Sequence, residues 1–216
     1  MFKRLSSFKI DYLNESHLII PFSEIDDNMV IYSSDKGIIY INAYNHLFVI
    51  ADSFDDEILS FINKNKKSIS YAIYPSNDNP DRYLLKRKKI KNNSTYHFLS
   101  SKELEEIASF YQDKTPFDTE YEYLSGLKSS ESEFAFIRDN QNNIISSLYT
   151  IKKQQLAVNI ATSIEERNKG YASLLINSLP FSYIFVEDIE LLAFYQHLGF
   201  EIVRSYKTWR NKRWNM

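Results

Sequence analysis

A strand, a charged turn, a glycine and a helix are predicted in succession in the run LAVNIATSIEERNKGYASLLINSL, residues 156–179. The first N–H groups of a helix have no partner within the helix, and the helix dipole adds about half a positive charge at that end. Gly170, one of only four glycines in the chain, precedes this helix and has no side chain to block an approaching group. The run therefore has the properties of a phosphate-binding loop. A glycine at this point can also simply punctuate a loop, so the rest of the chain has to decide.

The segments around this run predict a sheet with helices. The helix after Gly170 is predicted to begin near Lys169 and to end at Pro180. Its buried stripe is predicted to consist of Ala172, Leu174, Leu175, Ile176 and Leu179. Strands are predicted at residues 94–100, 133–139, 144–151, 156–162, 182–187 and 200–210, and helices at 100–112, 118–130, 169–179 and 189–198.

The first half of the chain carries a different pattern. Short β-branched and aromatic segments separated by turn residues extend to residue 51 and predict an antiparallel meander, which a helix and a further strand follow. The composition changes to IKNNST near residue 92. We therefore expect a smaller, mostly antiparallel β plus helix domain over residues 1–92 and a second domain over residues 93–216. The basic run KRKK, residues 86–89, is short and isolated and is predicted to be a solvated strand or loop.

Composition argues against several classes of function. Without cysteine, the chain has no disulfide, thiolate zinc site or cysteine nucleophile, which fits a reducing compartment. Its histidines, His17, His46, His97 and His197, show no paired spacing, so no metal site is predicted. The net charge of −2 gives no drive toward nucleic acid or anionic membranes, and no run reaches the roughly 18 apolar residues of a membrane span. The sequence therefore predicts a cytoplasmic protein that acts on neither nucleic acid nor membrane.

Two motifs resemble those of the GNAT-type N-acetyltransferase superfamily. Arg167-x-x-Gly170-x-Ala172 is similar to the coenzyme A pyrophosphate loop, in which Arg or Gln is followed by two residues, Gly, one residue, and Gly or Ala. Thr162 also matches the strand before that loop, although Ile164 stands where the family often has proline. The second signature is an alanine, an aromatic residue followed by tyrosine, and Gly-Phe at the start of the last strands. It is matched by Ala193, Phe194, Tyr195, Gly199 and Phe200.

The resemblance covers residues 94–210 and implies the fold of the family there. That fold is a mixed α+β and α/β architecture, with a central mixed sheet flanked by helices. Some members carry an additional N-terminal domain, often a degenerate second copy, and residues 1–92 could be such a copy. The resemblance further implies acetyl-CoA or another acyl-CoA as co-substrate, without a metal.

Roles for individual residues also follow from the resemblance. In the family, pantetheine lies between the splayed fourth and fifth strands and bonds to fourth-strand backbone, which here corresponds to Ile160, Ala161 and Thr162. Amides of that strand polarise the thioester carbonyl, and Tyr195 corresponds to the tyrosine that protonates the departing thiolate. Phe194 is a further cofactor contact. The pyrophosphate would bind the loop formed by Arg167, Asn168, Lys169, Gly170, Tyr171 and Ala172.

Two departures from the family pattern affect this site. Glu190 stands where an asparagine is usual, and no acid occurs on the strand 156–162, where some members keep a general base. An amine is mostly protonated at neutral pH, so some group must remove a proton before the amine attacks. Glu133, Glu187 and Asp188 are the candidate bases, and a water chain is the alternative.

The leading interpretation is an acyl-CoA-dependent N-acyltransferase. It would transfer an acyl group, expected to be acetyl, to a primary amine of a small molecule, sugar, amino acid or peptide by direct attack on the thioester. Residues 1–92 are expected to cover the acceptor side. The alternatives are a non-catalytic acyl-CoA-binding or structural domain of the same fold, in which Tyr195 is a core residue, and an aminoacyl-tRNA-dependent transferase. A homodimer paired through the late strand IVRSYKTWR, residues 202–210, is a further expectation.

Overall fold

The computed structural model divides into two compact units. The first contains Met1–Leu85, Val186–Leu192 and Ile202–Met216, and the second contains Lys86–Phe185 and Ala193–Glu201. The boundary predicted at residue 92, most of the strand predicted at 94–100 and the helix predicted at 118–130 lie outside the described residues. These described residues are 2–5, 29–42, 44–52, 55–65, 67–88, 100–114 and 132–210.

Eleven strands and four α-helices occur in the described ranges. The strands are β1 (Lys3–Leu5), β2 (Val30–Ser34), β3 (Gly37–Ile41), β4 (His46–Ile50), β5 (Tyr71–Pro75), β6 (Arg82–Arg87), β7 (Ser132–Arg138), β8 (Ile144–Ile151), β9 (Leu156–Thr162), β10 (Tyr183–Val186) and β11 (Phe200–Arg210). The helices are α1 (Asp56–Asn65), α2 (Ser101–Lys114), α3 (Tyr171–Ser178) and α4 (Leu192–His197).

The first unit is built on hairpins. Strands β1 to β4 pair antiparallel in chain order, which agrees with the predicted meander where the chain is described. β5 then pairs parallel to β4 and antiparallel to the Tyr206–Arg210 part of β11. Ile39, Leu47 and Val49 of the sheet form one apolar cluster with Ile58 and Ile62 of α1. β11 lies between β5 and β6 in the strand order, so both of its edges are occupied, and the pairing with a second copy that the sequence suggested is wrong for this strand.

The second unit carries the segments in which both motifs lie. Its strand order is β10-β9-β8-β7, with β9 parallel to β10 and the other neighbours antiparallel. Helix α3 connects β9 to β10, as a parallel pair requires. α2 packs on β8, while α3 packs on β7, β8 and β9. The strands predicted at 133–139, 144–151, 156–162 and 182–187 are confirmed to within one residue at each end.

The helix predictions need three corrections. α3 begins at Tyr171, because Gly170 takes a left-handed conformation at its N-cap. Leu174 is 61% exposed, so its place in the buried stripe is wrong; the stripe is formed by Leu175, Ile176 and Leu179. Leu174 falls between the positions i, i+3, i+4 and i+7 that share one helix face. The helix predicted at 189–198 is shorter and begins with a 3₁₀ turn over Ile189–Leu191.

The described residues contain neither a candidate membrane-crossing helix nor a candidate metal cluster. In those ranges no helix combines the length and the apolar character that a membrane crossing needs. The same ranges contain no cluster of three or more histidine, aspartate or glutamate side chains suited to a metal ion.

Candidate functional site

The pairing between strands β9 and β10 ends before the candidate site. The register joins Leu156 to Tyr183 and Ala157 to Ile184, and these are the β9–β10 partners in the described part of the chain. β10 ends at Val186, whereas β9 continues for five residues beyond Ala157, to Thr162. The segment where pantetheine binding is predicted, Ile160 to Thr162, therefore lies beyond the pairs that join β9 to β10.

A bulge interrupts β9 within this segment. Tyr149 pairs with Val158 and Ser147 with Ala161, so two residues of β9 face a single residue of β8. Asn159, the first of the two, has a φ of 50°. Asparagine accepts left-handed backbone better than most residues. The extra residue twists the strand and redirects its backbone groups.

The loop after β9 alternates between extended and left-handed backbone. A 3₁₀ turn over Ile164–Glu166 leads to Arg167 in an extended conformation, followed by Asn168 with a φ of 64°. Gly170 has φ 86° and ψ 2°, and its carbonyl accepts the first helical hydrogen bond, from Leu174 N at 3.1 Å. Successive N–H groups in such a turn form a concave anion-binding surface.

Gly170 is needed for its backbone conformation and leaves open space around it. A Cβ built on Gly170 would have no neighbour within 4 Å in the described structure. Ligand approach is therefore open at the N-terminus of α3, where the helix dipole favours an anion. The glycine is more than loop punctuation, because it caps α3 with a φ that most side chains resist.

The basic side chains of the loop differ in their partners. Lys169 Nζ lies 2.8 Å from Glu166 Oε2, and this hydrogen bond raises the pKa of the lysine. Arg167 is exposed, and its Nε makes a long 3.5 Å contact with the Thr162 carbonyl. Arg167 is therefore the less engaged cation of the two and can turn toward an anion on the loop.

Tyr195 is held by aromatic rings. Its side chain is 6% exposed, and its ring packs edge-on against Phe194 at 5.0 Å and Phe200 at 5.9 Å between centroids. No described residue hydrogen-bonds the hydroxyl. Burial raises the pKa of Tyr195 to about 12, so the phenol keeps its proton at neutral pH. The side chain therefore holds a protonated phenol at neutral pH, which is the form that a general acid needs.

The same pKa gives a testable effect on stability. In the unfolded chain Tyr195 loses its proton near its ordinary pKa of 10.0, whereas in the folded chain it does so near 12. The stabilisation by the buried phenol is complete below about pH 10 and is lost as pH rises through 12, at about 1.4 kcal/mol per pH unit. We expect Tyr195→Phe to remove this contribution. Urea unfolding at about pH 8, 10 and 11 measures the free energies of unfolding of the wild type and the variant. The difference between these two free energies should change only above about pH 10. A difference that stays constant over all three pH values would contradict the raised pKa of Tyr195.

The structure does not bring all three candidate bases to β9. Glu133 lies on β7, which β8 separates from β9; its carboxylate is 11% exposed and lies 3.3 Å from Lys152 Nζ. Glu187, in the first unit, forms an ion pair with Arg82. Asp188, also in the first unit, accepts a 2.9 Å hydrogen bond from the backbone N–H of Glu190. The side chains of both residues are exposed.

Three buried polar groups that support this region were missed by sequence reasoning. Tyr111 of α2 donates a 2.7 Å hydrogen bond to the carbonyl of Asn159. The Ser146 hydroxyl lies 2.9 Å from the carbonyl of Ala161 and 2.8 Å from Thr162 Oγ1. The third group is Arg87. For Ser146 alone the sequence offered a signal: two adjacent serines stand inside the apolar strand IISSLYTI, and buried hydroxyls need partners.

Arg87 corrects the expectation that KRKK is solvated. Its side chain is 6% exposed, and its guanidinium donates to the carbonyl of Ile176 at 3.1 Å and to the side chain of Asn177. It also packs over the rings of Phe181 and Phe200, 6.0 and 5.6 Å from their centroids. Arg87 thus satisfies carbonyl groups at the C-terminal end of α3, where a cation complements the helix dipole.

Removal of this arginine is expected to destabilise the second unit. Arg87→Met leaves the Ile176 carbonyl and the Asn177 side chain without a charged donor, at a cost of about 1–3 kcal/mol. Lys88→Met is the matched control. It breaks only an exposed 3.2 Å pair with Glu201, which is worth about 0–1 kcal/mol. Urea denaturation of both variants measures the difference, and equal free energies of unfolding would contradict the role of Arg87.

Sequence and structure comparisons differ in what they find. No protein-family model and no curated protein sequence matches this chain. A solved GCN5-related N-acetyltransferase from Kribbella flavida matches in structure with a TM-score of 0.53 and 12% identity, over 87% of this chain and 88% of that one. A Drosophila protein from a structural genomics programme matches with a TM-score of 0.53 and 11% identity, over 84% of this chain and 78% of that one.

These matches extend beyond the region that carries the two motifs. Residues 93–216 are only 124 of the 216 residues, so a match over 87% of the chain includes residues before 93. At such low identities, the similarity defines the fold. The chain therefore has a GNAT-type fold, the fold of GCN5-related N-acetyltransferases.

Proposed function

We propose that this chain is an acyl-CoA-dependent N-acyltransferase that uses acetyl-CoA and a primary amine acceptor. The observation that carries the proposal is the open, left-handed loop at Gly170, at the N-terminus of a helix that follows a strand whose pairing with β10 ends at Ala157. These features fit a pyrophosphate, because backbone N–H groups and a helix dipole converge where no side chain stands. Tyr195 in the same unit adds a protonated donor.

The proposed chemistry is a single acyl transfer. The amine nitrogen attacks the thioester carbonyl carbon, the C–N bond forms, and the C–S bond breaks. The Tyr195 hydroxyl donates its proton to the departing sulfur, and the proton that the nitrogen gives up as the amide forms restores the phenol. Backbone N–H groups near Ile160 polarise the carbonyl. The amine must lose a proton first. Ion pairs hold Glu133 and Glu187, so Asp188 or a water chain is the better candidate base.

The test is release of free thiol from acetyl-CoA in the presence of amines. A panel of small aliphatic amines, aminosugars, amino acids and peptides is incubated with the enzyme and acetyl-CoA, and the acylated product is identified by mass. We expect at least one class to give turnover above the background without enzyme. Binding of acetyl-CoA without turnover on any amine class would favour a non-catalytic acyl-CoA-binding domain.

That second function is supported by one observation. Of the three candidate bases, two are held in ion pairs. A sensor domain needs the loop at Gly170 but not a base. A cytoplasmic location and an acceptor side formed by residues 1–92 are further parts of the proposal.

A further inference from the structure

We propose that the Tyr111 hydroxyl is a positioning group that fixes the bulge in β9 and so sets the backbone donors offered to the acyl carbonyl. This inference rests on the proposed function. Tyr111 lies on α2, 48 residues before Asn159, and is completely buried. Its hydroxyl donates to the Asn159 carbonyl at 2.7 Å. That carbonyl belongs to the extra residue of the bulge, directly before Ile160.

The bulge needs such a partner for two reasons. A φ of 50° costs at most about 1–2 kcal/mol at Asn159, because asparagine accepts left-handed backbone better than most residues but less readily than glycine. In addition, Asn159 and Ile160 together face one residue of β8, so the ladder between the strands is interrupted there. The Asn159 carbonyl is half-buried, and without a donor it would add a cost of up to about 1–3 kcal/mol. The phenol supplies that donor and offsets part of both costs.

The direction of the hydrogen bonds follows from their chemistry. A carbonyl can only accept, so the single phenol proton of Tyr111 goes to Asn159. Ser147 Oγ lies 3.3 Å from the same phenol oxygen and can then donate to it. Burial raises the pKa of Tyr111, so the donor stays protonated. The shorter contact is the one to the bulge, and Ser147 is the secondary partner.

This geometry separates two tasks within the second unit. Tyr111 contacts the bulge, next to the residues predicted to polarise the thioester. Gly170 follows the end of β9 by eight residues, in a loop built from its own backbone conformations. Loss of the phenol should therefore disturb the acyl end of the site and spare the pyrophosphate end.

The test is Tyr111→Phe, with Ser147→Ala as the matched control. We expect the phenylalanine variant to lower kcat about tenfold or more, while the Kd for CoA stays within about threefold; the serine variant should remain close to wild type in both. Amide hydrogen exchange should become faster in residues 158–162 and remain unchanged in α3. Equal losses in kcat and CoA affinity, or unchanged exchange in residues 158–162, would overturn the positioning role.

A second variant guards against a simple folding defect. Asn159→Gly removes the penalty for the left-handed backbone, so Tyr111→Phe should cost less kcat and accelerate exchange less in that background. An undiminished effect on both readouts would contradict the mechanism. Exchange decides whether Tyr111 holds the bulge even when no amine is turned over, whereas absence of acetyl-CoA binding by the wild type would count against the proposed function itself.

Discussion

Tyr195→Phe is expected to lower kcat by roughly 10²-fold or more, with the Kd for CoA within about twofold of wild type. The substitution removes only the hydroxyl, so the ring contacts with Phe194 and Phe200 remain. Without the phenol proton, the sulfur must leave as a free thiolate. Steady-state kinetics with acetyl-CoA and the amine found in the panel, together with calorimetry, measure the two quantities.

The matched control is Tyr83→Phe, in the first unit. Tyr83 is also buried, and its hydroxyl makes only a 3.3 Å contact with the Pro80 carbonyl. This variant should keep the wild-type kcat. If Tyr195→Phe turned over at the wild-type rate, Tyr195 would be an ordinary core residue and the proton would have to come from another group.

The second large effect is expected at Gly170. Gly170→Asp places a carboxylate where the pyrophosphate is proposed to bind, and two charges about 4 Å apart near a protein surface repel by up to about 4 kcal/mol. Solvent reduces that figure, so we expect the Kd for CoA to rise about 30- to 100-fold. Calorimetric titration of the variant with CoA measures the change.

Backbone conformation has to be separated from charge in this experiment. Any side chain at Gly170 is strained by the φ of 86°. Gly170→Asn is nearly isosteric with aspartate, tolerates left-handed backbone and carries no charge, so it should weaken binding less than about fivefold. If both variants lost the same affinity for CoA, the backbone conformation alone would account for the glycine at position 170. That result would contradict the pyrophosphate site.

The features predicted correctly from the sequence are those encoded locally. The strands from β7 to β10 follow from apolar runs bounded by turn residues. Gly170 was recognised as the residue before α3, although the helix begins at Tyr171 and not near Lys169. Gly199 likewise ends α4 with a φ of 87°. Each of these signals lies within a few residues of the structure that it specifies, so one sequence suffices to predict it.

The missed features depend on contacts between distant residues. The bond from Tyr111 to Asn159 joins two positions that only the packing of α2 on the sheet brings together. Arg87 was misjudged because a basic run is usually solvated, and its partners in α3 lie 89 and 90 residues away. The carboxylates near strand ends were also predicted from chain position alone, while their ion pairs with Lys152 and Arg82 are tertiary.

Calorimetric titration of the wild-type protein with acetyl-CoA tests the central claim most directly. The open loop at Gly170, the helix N-terminus and the end of the β9–β10 pairing at Ala157 predict saturable binding with one acetyl-CoA per chain. We expect a Kd on the order of micromolar, which corresponds to about −8 kcal/mol. A flat titration at millimolar acetyl-CoA would contradict the account, because the fold would then lack the cofactor site on which the proposed chemistry depends.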